Sequence, residues 1–133
     1  MENKTNPTIV KDGTVKTYHS NGNIASMKRY KNDVLHGVFK EYDFDVNEQV
    51  RISGNYKNNE RHGTVTFYDE REIWQTQDYK HGKLHGYITT YRNGKITMLA
   101  KFFDDEQHGL TLFYNDDGKI TKRVMYSHNN KIS

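Results

Sequence analysis

Apolar and polar residues alternate with a period of two along much of this chain. In the segment 96–102, apolar residues occupy every second position, and Thr97, Leu99 and Lys101 fall between them. The segment 120–126 alternates in the same way. A period of two with β-branched and aromatic residues is typical of strands, and no segment has apolar residues at helical spacing. The pattern therefore predicts an all-β protein.

The pattern recurs as an internal repeat. A glycine is followed five residues later by a tyrosine at five places: Gly13 and Tyr18, Gly37 and Tyr42, Gly63 and Tyr68, Gly86 and Tyr91, Gly109 and Tyr114. An isoleucine or valine is followed six residues later by an aromatic at five others: Ile24 and Tyr30, Val50 and Tyr56, Ile73 and Tyr79, Ile96 and Phe102, Ile120 and Tyr126. The chain is thus one unit of 23 to 26 residues written five times. Such a period is the signature of a repeat architecture.

Each unit is predicted to be one β-hairpin. The first strand runs from the glycine to the tyrosine, and the second from the aliphatic residue to the aromatic one. Because six is an even spacing, we expect the aliphatic and aromatic residues of the second strand on one face. Five units give a single-domain repeat protein over residues 12–133, an elongated, twisted antiparallel meander of about ten strands. Residues 1–11 are a lead segment.

The predicted turns carry the residues that tight hairpins require. Asn21-Gly22, Asn93-Gly94 and Asp117-Gly118 fit two-residue type I′ turns, in which both central residues have positive φ. The glycine after each histidine is expected in a left-handed conformation. Residues 43–49 lengthen one hairpin loop, and the last strand should form an edge of the sheet.

Composition favours an ordered protein without disulfides or a membrane segment. Aromatic residues make up 13% of the chain, cysteine is absent, and the formal net charge is +3 with the charges interleaved. Disordered chains usually contain few aromatics, so we expect a thin core made mostly of tyrosine. No apolar stretch has the length of a signal peptide core or a membrane span, which predicts a soluble, cytoplasmic protein.

The repeat resembles the MORN-type family, in its bacterial variant that reads Gly-x4-Tyr, Asn-Gly, then Tyr-x2-Asn-x2-His-Gly. The matching stretches are 12–22, 30–37, 56–63 and 79–86, so the resemblance covers roughly residues 12–130. It implies a sheet of hairpins and, by analogy with antitoxin and immunity proteins of this type, binding to a toxin-like protein. Other members resemble scaffolds or membrane-proximal modules.

The regular histidines do not predict a metal site. His36, His62, His85 and His108 occupy equivalent positions in successive hairpins, about 9 to 10 Å apart at the usual strand spacing. Zinc ligands lie about 2 Å from the ion, so neighbouring histidines of this ladder cannot share one. We expect the imidazoles to cap turns or pack on tyrosines, and we expect neither metal nor cofactor.

The repeated aromatics and acids have structural explanations as well. Aromatics on a basic protein suit stacking with single-stranded nucleic acid, but cross-strand aromatic pairs are also what a one-layer sheet needs to fold. We favour the scaffold and expect Tyr68, Tyr79 and Tyr91 to be substantially buried. Acidic clusters fall in predicted turns, and no nucleophile or metalloprotease motif is present, which predicts a non-enzymatic protein.

Binding residues are expected where the repeat is broken. The candidates are Phe44 in the long loop, Trp74, which is the only tryptophan, Arg71 beside it, and Phe103 next to the regular Phe102. Trp74 follows Ile73, so alternation places it on the face opposite Ile73 and Tyr79, where Arg71 and Asp69 would surround it. Packing of Trp74 on Phe67 is the structural alternative.

The first functional hypothesis is an antitoxin- or immunity-type module that neutralises a specific protein partner by steric occlusion. A structural or membrane-peripheral scaffold is the second hypothesis, and single-stranded nucleic-acid binding is the third.

Overall fold

A computed structural model describes residues 11–133, and within that range every regular element is a strand. Twelve strands form one antiparallel sheet, in which each strand pairs with the next along the chain and the short β5 pairs only with β4. The predicted all-β meander is confirmed. The predicted lead segment lies, except for Lys11, outside the described residues.

The strand bounds follow the repeat. They are β1 Gly13–Tyr18, β2 Ile24–Lys31, β3 Val34–Tyr42, β4 Val50–Lys57, β5 Glu60–Arg61, β6 Gly63–Asp69, β7 Glu72–Lys80, β8 Lys83–Arg92, β9 Lys95–Phe103, β10 Glu106–Tyr114, β11 Ile120–Ser127 and β12 Asn130–Lys131. The two strands beyond the predicted ten are the two-residue elements β5 and β12. Because β12 pairs with the end of β11, the expected edge strand β11 is partly covered.

A two-residue turn follows each of the five units along one side of the sheet, the inter-unit edge. Both residues of each turn have positive φ, which is the signature of type I′. These turns are Asn32-Asp33, Asn58-Asn59, His81-Gly82, Asp104-Asp105 and His128-Asn129. Strands β3, β8 and β10 therefore begin before the His-Gly pair rather than at its glycine. The glycines there are left-handed as predicted, with φ of 121° at Gly86, but they sit in register shifts within the strands.

Turns within units lie along the opposite side, the intra-unit edge. Asn93-Gly94 has positive φ at both residues, as predicted. The same prediction is wrong for Asn21-Gly22 and Asp117-Gly118, where only the glycine has positive φ. These turns are longer because asparagine side chains cap them: Asn21 Oδ1 accepts the Asn23 N–H at 3.0 Å, and Asn115 Oδ1 accepts the Asp117 N–H at 3.0 Å.

A β-bulge in every unit separates the repeated residues onto two faces. The register shifts just before the tyrosine of each first strand, so that Tyr68 pairs with Ile73 while Phe67 pairs with Gln75. Corresponding shifts occur before Tyr18, Tyr42, Tyr91 and Tyr114. An extra residue reverses the alternation that follows it. The prediction that the aliphatic and aromatic residues share a face is therefore wrong.

We name the two faces by what they carry. The core face holds the second-strand aromatics and the most buried side chains. The tyrosine face holds the five cross-strand pairs that the bulges create: Tyr18 and Ile24, Tyr42 and Val50, Tyr68 and Ile73, Tyr91 and Ile96, Tyr114 and Ile120.

The core is a column of residues across the middle of the core face. Phe39 and Val65 are fully buried. The Phe39 ring lies 4.7 Å from the Tyr56 ring, and the Arg61 guanidinium covers it at 5.8 Å. Gly54, which pairs with Phe39, leaves the space that this ring fills. Tyr68, Tyr79 and Tyr91 are only half-buried, because a one-layer sheet covers its central column best.

Hydrogen bonds between units explain the acidic and amide residues of the inter-unit turns. Asn59 donates its N–H to Leu35 O at 2.9 Å, and its Oδ1 accepts the Leu35 N–H at 2.8 Å. Asp105 makes the same two bonds to Leu84, at 2.9 and 2.7 Å. Asp or Asn is thus selected both for positive φ and for this second bond.

The turn Glu70-Arg71 adopts type I′ geometry with two residues poorly suited to it. Their φ angles are 48° and 75°, close to those of Asn93-Gly94. Because left-handed backbone costs non-glycine residues about 1–2 kcal/mol each, Glu70→Asn/Arg71→Gly should raise the free energy of unfolding by about 1 kcal/mol. Urea denaturation measures the change. The reciprocal variant Asn93→Glu/Gly94→Arg should lower the stability, and equal stabilities throughout would contradict the argument.

Candidate functional site

Trp74 lies at the bulge of its unit, on the core face. Its ring contacts the Phe67 ring at 6.2 Å between centroids, and 43% of the residue is exposed. It is therefore opposite Ile73, as predicted, but on the same face as Tyr79, contrary to prediction, because the bulge lies between them. Trp74 therefore both packs on Phe67, which was the structural alternative, and remains partly exposed.

Around Trp74 is a shallow depression of about 270 Å³. Its lining includes Glu41, Arg51, Ile52 and Phe67. Charged groups thus surround the indole, but they come from the neighbouring unit. Arg71 and Asp69, which were expected to surround Trp74, do not line the depression.

Arg71 instead borders the tyrosine face. It lines two depressions there, one shared with Lys40 and Tyr68 and the other with Ile73. Trp74 and Arg71 therefore lie close in sequence and at the same edge of the sheet. Trp74 lines a depression on the core face, whereas Arg71 lines depressions on the tyrosine face.

Phe44 belongs to a loop that is fixed to the first hairpin. Its carbonyl accepts hydrogen bonds from Asn21 Nδ2 at 2.8 Å and Asn23 Nδ2 at 3.0 Å, and its ring meets the edge of the His19 ring at 5.0 Å. The residue is 46% exposed. The loop therefore presents a held aromatic ring next to the first intra-unit turn.

Asp43 folds this loop from within. Its Oδ2 accepts the N–H groups of Val46 at 2.8 Å and Asp45 at 2.9 Å. The Val46 bond is the largest of the influences that together hold the pKa of Asp43 below its usual range; burial opposes it, and the Asp45 bond, Arg51 and His19 add to it. A lowered pKa favours the folded loop above the ordinary pKa of the carboxyl group. This contribution is lost as the pH falls through the folded pKa.

Phe103 lies at the inter-unit edge, away from the other candidates. It is 55% exposed, and its ring lies 4.8 Å from the His85 ring. The structure therefore places Phe44, Arg71 and Trp74 along the intra-unit edge and Phe103 on the other side of the sheet.

Two histidines of the His-Gly pairs, His85 and His108, contact a turn or an aromatic ring. His108 Nδ1 accepts the His128 N–H at 3.3 Å, which is the expected capping of a turn, and His85 packs on Phe103. Among residues 11–133, no group of three or more His, Cys, Asp or Glu side chains is arranged to hold a metal ion.

A polar chain on the core face runs from Arg61, at the end of the second unit, into the third unit. The Arg61 guanidinium donates to Tyr79 Oη at 3.3 Å, Tyr79 Oη donates to Gln77 Oε1 at 2.8 Å, and Gln77 Nε2 donates to Gln75 Oε1 at 2.6 Å. Burial disfavours the charged guanidinium, but the phenol oxygens of Tyr79 and Tyr56 outweigh it and raise the pKa of Arg61. Arg61 therefore remains a cation that stabilises this part of the sheet.

Sequence reasoning missed a groove on the tyrosine face. Three depressions of about 490, 310 and 420 Å³ follow one another along the intra-unit edge. The first two share Lys40, Glu48 and Val50, and the last two share Arg71. We call this surface the tyrosine groove, and its tyrosines are Tyr18, Tyr42, Tyr68 and Tyr91. The signal for it in the sequence is the Gly-x4-Tyr repeat, whose tyrosines form the groove in addition to supporting the scaffold.

Comparison with protein families points to the same repeat. The family described as MORN repeat variant matches residues 11–32 and 107–128, which cover the hairpins β1–β2 and β10–β11. These matches support a MORN-type repeat protein. The MORN repeat is a non-catalytic module, typically of protein interaction or scaffolding. No curated protein matches the chain.

The three hairpins between the matched segments have the same construction. Each contains the bulge before its tyrosine, and each is followed by a two-residue turn with positive φ.

The described residues include no helix with the length and apolar character needed to span a membrane.

Proposed function

We propose that this MORN-type protein is a non-enzymatic binding module that acts in a bacterial cytoplasm and neutralises one protein partner by covering its active site, as antitoxins and immunity proteins do. The observation that carries the proposal is the position of Trp74, half-exposed in a depression and supported from behind by Phe67. Tryptophans held in this way are enriched among the residues that dominate protein interfaces.

The composition of the site supports a protein partner. Aromatic and arginine side chains are the residues that interfaces enrich, and Trp74, Arg51 and Phe67 occur together on one surface. The core face around them presents an aromatic and polar surface of the kind that a protein partner can cover.

The growth of a host cell that expresses the product of the adjacent bacterial gene tests the neutralising role. The product of the adjacent gene is expressed in a host cell alone and together with this protein. We expect growth arrest in the first case and recovery in the second. If co-expression fails to restore growth while both proteins accumulate, the neutralising role is wrong.

Trp74→Ala should weaken binding to that partner by about 1–3 kcal/mol, because it removes the central aromatic anchor. Isothermal titration with a catalytically inactive partner measures the change. Phe103→Ala is the matched control: Phe103 is also a candidate and also exposed, but it lies at the opposite edge, outside an interface centred on Trp74. Equal losses for both variants would contradict an interface centred on Trp74.

Stability measurements separate anchoring from folding in the same experiment. We expect Trp74→Ala to cost less stability than Tyr68→Ala, because Trp74 has no repeated counterpart and stays 43% exposed. If Trp74→Ala unfolds the protein as readily as Tyr68→Ala, the indole belongs to the core and the site assignment is wrong.

A further inference from the structure

The tyrosine groove contains three basic side chains that no carboxylate of the described residues contacts within 4.0 Å. Lys16 and Lys40 line its first depression, and Lys40 and Arg71 line the second. Within residues 11–133, the ion pairs closer than 4.0 Å are Arg51 with Asp43 and two histidine–carboxylate pairs. The described part of the chain therefore leaves these three cations without a carboxylate in contact.

Apolar side chains line the groove together with the cations. Ile24, Met27 and Val50 line the first depression, and Ile73 lines the third. Ile73 is 42% exposed although it belongs to the repeat. The groove therefore offers alternating sites for apolar and anionic groups, with tyrosine rings at regular intervals.

The carboxylates of Glu48 and Glu72 limit the kinds of anionic ligand that the groove can bind. Glu48 lines the first two depressions, and Glu72 lines the third. A nucleic-acid strand carries a phosphate on every nucleotide and would bring negative charge against both. A polypeptide can place carboxylates opposite Lys16, Lys40 and Arg71 and neutral or basic residues opposite Glu48 and Glu72. Complementary charge of this kind favours a protein ligand.

We propose that the tyrosine groove binds an acidic, extended polypeptide segment that alternates carboxylate and aliphatic side chains. The groove runs from β1 to β8, six strand spacings, or about 29 Å at about 4.8 Å per spacing. An extended segment of about nine residues has this length. The inference rests on the proposed protein-binding function and adds a second contact surface, on the face opposite Trp74.

The test is a selection from a phage-displayed library of random peptides of about ten residues, a length that fills the groove. We expect the recovered peptides to be enriched in Asp and Glu together with Leu, Ile or Val. The tightest peptide is then titrated against the variants. Lys40→Glu should weaken it at least about tenfold, since a like charge replaces an opposite one. The Glu70→Asn/Arg71→Gly variant should also weaken it, while gaining stability.

The gain in stability makes this second variant decisive, because weaker binding cannot then come from unfolding. Lys57→Glu is the control for net charge: it makes the same change on an exposed lysine of β4 outside the groove and should leave the affinity unchanged. Failure to recover peptides, recovery without acidic enrichment, an equal effect of Lys57→Glu, or displacement by oligothymidylate at equal concentration would each overturn the proposal.

The outcome is independent of the growth experiment. If the partner is neutralised and Trp74→Ala weakens its binding, but no acidic peptide is selected, the groove is wrong and the proposed function stands. If acidic peptides are selected while the neighbouring gene product is not neutralised, the groove is right and the neutralising role is wrong.

Discussion

Phe39→Ala is expected to lower the free energy of unfolding by about 3–5 kcal/mol, the usual cost of truncating a fully buried phenylalanine. The loss has two sources. The ring is removed from a position with no solvent exposure, and it leaves a cavity bounded by Tyr56, Arg61 and Gly54. A one-layer sheet has no second layer that could close over the space. Since small proteins are stable by about 5–15 kcal/mol, this change removes a large share of the total.

Urea denaturation followed by far-ultraviolet circular dichroism measures this loss. Val38→Ala is the matched control, because Val38 is the neighbouring residue of the same strand, lies on the tyrosine face and is half-exposed. We expect its cost to stay below about 1 kcal/mol. If the two substitutions cost the same, the core does not lie on the face that we assign to it.

The sequence was sufficient for the architecture because the repeat is long-range and redundant. Five copies of Gly-x4-Tyr and five aromatics at fixed spacing determine the number of hairpins and their order. Turn chemistry also located Asn93-Gly94 correctly. In the asparagine-capped turns after Tyr18 and Tyr114, side-chain hydrogen bonds stabilise a longer turn than the Asn-Gly and Asp-Gly pairs predicted.

The faces could not be predicted from alternation alone. A bulge adds one residue without changing the period of the repeat, so a spacing of six hides a reversal of face. Because apolar residues occur on both faces of this sheet, the hydropathy pattern does not reveal the reversal of face. Because the faces were assigned wrongly, the sequence analysis placed Trp74 and Tyr79 on opposite faces. It also did not predict the groove that the tyrosines and isoleucines form.

The candidate residues Phe44, Arg71, Trp74 and Phe103 were found as departures from the repeat, and all four have substantially exposed positions. Their arrangement required the pairing of strands. Of the three along the intra-unit edge, Phe44 belongs to the second unit, and Arg71 and Trp74 belong to the third. Only the structure shows that Arg51 and Glu41 of the second unit, rather than Asp69, line the depression around Trp74.

The second large effect is expected from Gly54→Val, which should lower the free energy of unfolding by about 1–3 kcal/mol through overpacking. A Cβ at this position would lie 2.9 Å from Phe39 Cε1 and 3.0 Å from Val65 Cγ2. Both neighbours are fully buried and cannot move into solvent. Valine suits strands better than glycine by about 0.5–1 kcal/mol, but the clash outweighs that gain. Asn55→Val, on the next residue and the opposite face, should change stability by less than about 0.5 kcal/mol.

Combining the two substitutions tests whether they act through one contact. Phe39→Ala opens space directly beside position 54, and the valine side chain of Gly54→Val can occupy part of it. The double variant should therefore be more stable than the sum of the single losses predicts, by about 0.5–3 kcal/mol, the range measured for residues in contact. The same urea titrations provide the complete double-mutant cycle. Strict additivity would mean that the strain at position 54 arises elsewhere, and the assignment of Phe39 and Gly54 as a matched large–small pair in the core would be wrong.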